Sequence, residues 1–179
     1  ALLIFHKFKK KKEMFTIPDK KRENKIVMCR IIGNALPDIN HQDQNLNNLE
    51  YILKNEDDFP NVKKVWVLNR IIDKNMEEKY IKLLKTHKKD YEVLPFNLEY
   101  FNTIPIKLSS NAVKDVKENM KRILYTSNIN GARNYALDRF KKNVDYVMVL
   151  DSNIYLSKDG FTEIERSISK NEYDYILVP

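Results

Sequence analysis

Three groups of residues have side chains and spacing suited to holding an ion. The stretch Asp145-Tyr-Val-Met-Val-Leu-Asp151-Ser152-Asn153 runs through apolar residues and stops at a carboxylate, with an amide two residues on. If the backbone stays extended, Asp151 and Asn153 point to one side. Two hard oxygen donors there suit a divalent cation such as magnesium or manganese. The same three residues also make an ordinary turn, since Asp, Ser and Asn favour turns. Arg133 and Asn134 follow Gly131 at the start of a helical pattern. Free N–H groups and a guanidinium in a first helical turn suit a phosphate or carboxylate. A salt bridge to a nearby acid would satisfy Arg133 as well. Arg30 sits inside the apolar run Ile26 to Ile32. Burying it alone is costly, so it needs an anion, either an internal carboxylate or a bound phosphate.

The elements that must position these groups follow from periodicity. Tyr146 to Leu150 reads as a strand buried on both faces, the signature of a parallel sheet. Lys25 to Ile32 is the first strand, closed by Gly33-Asn34, with Pro37 in the loop. Asn40 to Asp43 offers caps for a helix whose apolar face is Leu46, Leu49, Ile52 and Leu53 and which ends near Asp57. Val62 to Leu68 is the second strand, with Asn69-Arg70 at its carboxyl end. Asp73 or Asn75 caps a second helix with Met76, Tyr80, Leu83, Leu84 and His87 on its buried face. Tyr91 to Phe96 is a short third strand. Asn97 to Ser110 reads as an irregular loop, Asn111 to Leu124 as one helix, and Asn128 to Phe140 as another with Ala132 and Ala136 packing closely. Asp159 caps a short helix carrying Phe161, Ile164 and Ile168, and Tyr173 to Val178 is a last apolar run. The strand–helix alternation implies an α/β fold with a largely parallel sheet. The carboxyl ends of its strands gather Arg30 to Asn34, Asn69-Arg70 and Asp151-Ser152-Asn153 around one crevice.

Composition narrows the function classes. The 179 residues contain 3 glycines, and neither GxGxxG nor a P-loop occurs, against dinucleotide cofactors and P-loop ATPases. The single Cys29 leaves no internal disulfide and no cysteine-based zinc cluster, and low cysteine use favours an intracellular compartment. His41 lies in a loop and His87 at a helix edge, neither placed as a catalyst. The net charge of +7 is spread over every segment and reads as solvated surface, so nucleic acid is not expected as a partner. Residues 1–24 form a basic amino-terminal extension and linker: Ala1 to Phe5 is too short to span a bilayer, and His6 to Lys12 is a basic flank compatible with membrane association. Residues 25–179 form one domain.

Strand one, strand two, Asn130-Gly-Ala-Arg-Asn-Tyr-Ala-Leu137, an apolar strand and Asp-Ser-Asn, in that order, resemble the GT-A-fold nucleotide-sugar glycosyltransferases. In that superfamily an ARN-x-A helix precedes a strand ending in the DxD metal motif. Here these are Ala132 to Ala136 and Asp151-Ser152-Asn153. The resemblance covers roughly residues 25 to 178. It implies a Rossmann-like, mostly parallel sheet flanked by helices, lacking part of the acceptor half at its carboxyl end. It also implies a nucleotide diphosphate-sugar donor, a UDP-sugar by family habit, and manganese or magnesium. Arg30, Ile32, Gly33 and Asn34 are carried over as nucleotide contacts, and Asn69 as a contact near base or ribose. Arg133 and Asn134 would touch phosphate or sugar, Asp151 and Ser152 the donor, and Asp151 with Asn153 the metal. The family's second aspartate is Asn153 here, which implies weaker metal binding or reliance on donor phosphates. These motifs define no general base and no acceptor. The competing readings are a non-catalytic donor-fold domain, a module binding a polyanion or partner through its lysine-rich surface, and a nucleotidyltransferase on a similar sheet, whose usual glycine- and basic-rich loop after strand one is lacking in Gly33-Asn34-Ala35-Leu36-Pro37.

Overall fold

The computed structural model describes residues 3–7, 26–35, 41, 43–106, 112–169 and 175–178. Six strands form, β1 Leu3–Lys7, β2 Ile26–Ile32, β3 Val62–Asn69, β4 Asp90–Leu94, β5 Tyr146–Asp151 and β6 Tyr175–Val178, and β2, β3 and β5 carry the long apolar runs. They form one sheet in the order β4-β3-β2-β5-β1-β6. β2 pairs in parallel with both β3 and β5, and β3 in parallel with β4. The α/β class and the four-stranded all-parallel core flanked by helices are therefore present, consistent with a Rossmann-like fold.

Leu3–Lys7 departs from the expected peripheral extension. It lies inside the sheet, antiparallel to both β5 and β6. Without it, the hydrogen-bonding groups along the outer edge of β5 would lack a strand partner. The linker Pro18 to Asn24, the basic run beyond Lys7, Pro37 and Asn40 lie outside the described residues.

Helices cover both faces. α1 Gln44–Asn55, α2 Lys74–Thr86 and α7 Lys158–Ser169 lie on one, and α6 Ile129–Phe140 on the other. Strand alternation sorts the core accordingly. Ile26, Met28, Phe59, Met148, Leu150, Phe161 and Ile164 pack under α7. Ile32, Trp66 and Leu68 pack with Leu49, Met76, Tyr80 and Leu84 of α1 and α2. Val27, Cys29, Val65, Val67, Val147 and Val149 meet Ala132, Ala136 and Phe140 of α6. Both alanines are fully buried, so α6 packs closely against β5, β2 and β3. No described helix is long and apolar enough to cross a membrane.

Several local expectations shift. Asp73 caps α2 by accepting from the backbone N–H groups of Asn75 and Met76, at 2.9 and 3.3 Å, whereas Asp43 precedes α1 without a side-chain cap bond. His87 terminates α2 and is exposed, because the buried stripe stops at Leu84. The stretch after Asn97 is not wholly irregular: Asn97 accepts from Tyr100 N at 2.8 Å and starts α3, Leu98–Thr103. The single helix expected to reach Leu124 is two, α4 Ala112–Glu118 and α5 Met120–Ser127. The break falls at Asn119, whose side chain donates back to Asp115 O, a contact that competes with helix continuation. Ser157, rather than Asp159, caps α7 through Gly160 N at 3.1 Å.

Candidate functional site

Among the four parallel strands, chain order and spatial order diverge at the β2–β5 boundary: β3 and β4 lie on one side of β2 and β5 on the other. Crossovers diverge there too, α1 going to one face and α6 to the other. A crevice opens at the carboxyl edge of such a switch point. Here a cavity of about 320 Å³ lies there. Ile31, Gly33 and Asn34 from the end of β2 line it, with Asn69 from β3 and Asp151, Ser152 and Asn153 from β5. Ser127 and Ile129 bring the α5–α6 junction to the rim, and with it the positive end of the α6 dipole. Gln44, Asn45 and Asn48 add the first turns of α1.

β5 does not continue extended past Asp151. Ile154 N donates to Asp151 O at 3.2 Å, so Ser152 and Asn153 are the central residues of a turn. The turn and the oxygen cluster coexist, because both central residues still face the cavity. Arg133, one residue after the buried Ala132, reaches Asp151: Nη2 lies 3.1 Å from Oδ1 and 3.5 Å from Oδ2. The two side chains are 28% and 42% exposed, leaving the carboxylate reachable from solvent. Arg133 thus takes the nearby acid, and that acid is the one at the rim.

The amides divide into two sets. Asn34 donates to Arg70 O and accepts from Ile72 N, both at 2.8 Å. The buried Asn69 donates to Ser127 O and accepts from Asn128 Nδ2, both at 2.8 Å. Asn45 donates to Gly33 O at 3.1 Å. Arg70 donates to Tyr125 O at 2.7 Å and stacks over the Tyr125 ring at 4.1 Å. These groups brace the wall, tying strand ends to α1 and to the α5–α6 junction. Gln44, Asn48 and Asn153 make no side-chain hydrogen bond among the described residues and present open amides to the cavity.

Three expected contacts lie elsewhere. Arg30 shares the α1 and α7 face with Met28 and Ile32, away from the cavity, because alternation sends Ile31 to the cavity side. It is 1% exposed and forms an ion pair with Glu56. Its expected anion is therefore an internal carboxylate and not a phosphate. Burial pulls the guanidinium below its ordinary range, while Glu56 opposes the shift. Ile32 is buried in the α1–α2 core. Asn134 is exposed on α6 and absent from the lining. Sequence reasoning missed Gln44, Asn45 and Asn48. Their signal was a polar residue on an apolar stripe: Asn45, Leu49 and Ile52 recur at helical spacing and are all buried.

Among the described residues, Asp151 is the sole charged side chain lining the cavity, and no three His, Cys, Asp or Glu side chains cluster to hold a metal. The donor set, one carboxylate with a neighbouring hydroxyl and amide, fits magnesium or manganese of the kind bound by one or two carboxylates plus ligand phosphates and water. It does not fit an all-protein cage. Compared with protein-family models, curated proteins and solved structures, the chain matches none.

Proposed function

We propose that the chain is the donor-binding domain of a nucleotide-sugar glycosyltransferase. The observation that carries this reading is the place of Asp151: alone in charge among the described residues that line the cavity, at the switch point of a parallel sheet, with the Arg133 guanidinium 3.1 Å away. Among the described residues the lining offers a diphosphate one carboxylate, with the Arg133 guanidinium already paired to it. Binding should therefore depend on a divalent cation, which Asp151 would help to hold and which would offset the phosphate charge.

In this reading Asp151 would hold the cation, with the Ser152 hydroxyl and Asn153 amide oxygen as neutral donors available beside it. The chemistry a bound cation would supply is neutralisation of the charge that grows on a diphosphate leaving group. Arg133 fixes the orientation of the Asp151 carboxylate and sets a guanidinium next to the phosphates. Gly33 leaves open space where a side chain would stand, since nothing lies within 4 Å of the point a Cβ would occupy. The amides of Gln44 and Asn48 offer donors and acceptors to the nucleoside or sugar.

Calorimetry with the common nucleoside diphosphates in manganese, magnesium and chelator tests the proposal. Metal-dependent binding is expected, weakened at least ~10-fold in Asp151→Ala, a loss of about 1.4 kcal/mol. No binding of any nucleoside diphosphate with either metal would reject it. Asn153, standing where the family has a second acid, favours one alternative: a domain that binds the donor without turning it over. A donor-hydrolysis screen in manganese separates the two. Steeply salt-dependent binding of DNA, RNA or acidic lipid, without nucleoside diphosphate binding, would instead support the lysine-rich module.

A further inference from the structure

We propose that the buried trio Arg30, Glu56 and Lys64 is a positioning network that sets the Asp151–Asn153 turn from the opposite face of the sheet; the ligand part of this inference rests on the donor-domain reading. Between the end of β5 and the start of α7, residues 152–157 have no strand partner. Their tethers converge on one place. Arg30 Nε donates to Ile154 O at 3.3 Å. Leu156 N donates to Glu56 Oε1 at 3.0 Å. The Tyr155 hydroxyl donates to Asn55 O at 3.1 Å. Each bond runs to Arg30 or to the carboxyl end of α1.

The trio is itself enclosed. Arg30 and Glu56 side chains are each 1% exposed and Lys64 is 8% exposed. Lys64 Nζ lies 2.9 Å from Glu56 Oε2, an ion pair outside hydrogen-bonding angles. Register explains the reach: Arg30 sits opposite Leu150 and Ile31 opposite Asp151, so the Arg30 side chain starts one residue below the rim and extends past the end of β5. Desolvating three charges is expensive, and well-packed apolar residues often serve a core as well or better. What hydrocarbon cannot supply is directional bonds to the backbone of the loop that carries Asp151, Ser152 and Asn153. Arg30 and Glu56 touch no part of the cavity, so they act through the turn and not on the ligand.

The test compares Glu56→Leu, which removes the acceptor for Leu156 N, with Glu56→Gln, which keeps an acceptor oxygen. Amide hydrogen exchange across 151–157 and calorimetry of UDP in manganese are the readouts, with far-UV circular dichroism and Trp66 fluorescence reporting the fold. Exchange in this segment is expected to rise at least ~10-fold in Glu56→Leu and affinity for manganese–UDP to fall by ~10-fold or more, with Glu56→Gln recovering most of both. If Glu56→Leu does not fold, Tyr155→Phe and Arg30→Met, which each remove one tether, are expected to raise exchange confined to 151–157. Unchanged exchange there in the folded variants overturns the inference, and so does raised exchange with undiminished manganese–UDP affinity. Should the wild-type chain bind another nucleoside diphosphate with manganese or magnesium instead, that ligand replaces manganese–UDP in the comparison; should it bind none with either metal, the donor-domain reading fails, and exchange alone decides whether the network anchors the turn.

Discussion

Gly131→Ala sets two effects of opposite sign against each other. In a helix, Ala is better than Gly by about 0.8–1 kcal/mol, less so in the first turn. At this position, however, a Cβ would stand 2.1 Å from Asn128 Oδ1 and 2.9 Å from its Cγ. Asn128 links α5 and α6 in a left-handed conformation, φ 42°, and its side chain donates to Asn69 Oδ1 at 2.8 Å. Asn69 is 1% exposed, so moving the Asn128 amide leaves a buried oxygen without a donor. That costs about 1–3 kcal/mol. Taking the middle of that range against the helix gain, Gly131→Ala is destabilising by about 1 kcal/mol. In an Asn128→Gly background the clash is gone and the positive φ suits glycine. There Gly131→Ala should stabilise by ~0.5–1 kcal/mol, for a coupling of about 1.5–2 kcal/mol. Urea unfolding followed by Trp66 fluorescence and circular dichroism measures all four proteins. Equal stabilisation by Gly131→Ala in both backgrounds would refute the close approach of Asn128 and Gly131 on which the wall of the cavity depends.

Arg133→Ala should separate metal from donor binding. The pair with Asp151 is half exposed, so stability should change by no more than ~1 kcal/mol, while affinity for manganese–UDP falls ~10-fold and affinity for manganese alone holds or rises as the carboxylate loses its guanidinium; calorimetry of each is the check. Ala136→Leu forces three extra carbons between α6 and the sheet and should destabilise by at least about 1–3 kcal/mol in urea unfolding. Alkaline pH should unfold the protein progressively. Burial first, and then the field of Glu92, lift the Cys29 thiol from 9.0 to about 12. Burial, with Asp43 and Asp73, lifts the Tyr80 hydroxyl from 10.0 to about 12. Both groups stay protonated in the fold while the unfolded chain releases its protons. Their contribution is therefore whole below pH 9 and declines from there toward pH 12, by up to about 1.4 kcal/mol per pH unit for each group titrating. Flat stability from pH 8 to 10.5 would contradict this. Folded Cys29 should also resist thiol reagents at pH 8 and react once the chain is unfolded in urea.

Much of the architecture was legible in local pattern. Long, largely apolar runs marked β2, β3 and β5 because a strand buried on both faces needs apolar side chains on both. Ala132, Ala136 and Phe140 marked the packed side of α6 because one helical face meets the sheet. Asp151 at the end of its strand, and Arg133 one residue past the buried Ala132, were singled out by the same periodicities, and the fold brings them into contact. What sequence could not decide was direction and partnership. The choice between Ile31 and Ile32 as the cavity residue hangs on a single step of alternation, fixed only when the sheet has two covered faces. Arg30 required an anion, yet nothing local told Glu56, 26 residues on, from a bound phosphate. That assignment exists only once α1 folds back across β2. Leu3–Lys7 is too short and ordinary to announce a strand; its place depends on the open edge of β5, which no window of sequence contains. The amides of α1 belong to the cavity for the same reason: a helix has a first turn by local rule, but what that turn faces is decided by the sheet it crosses.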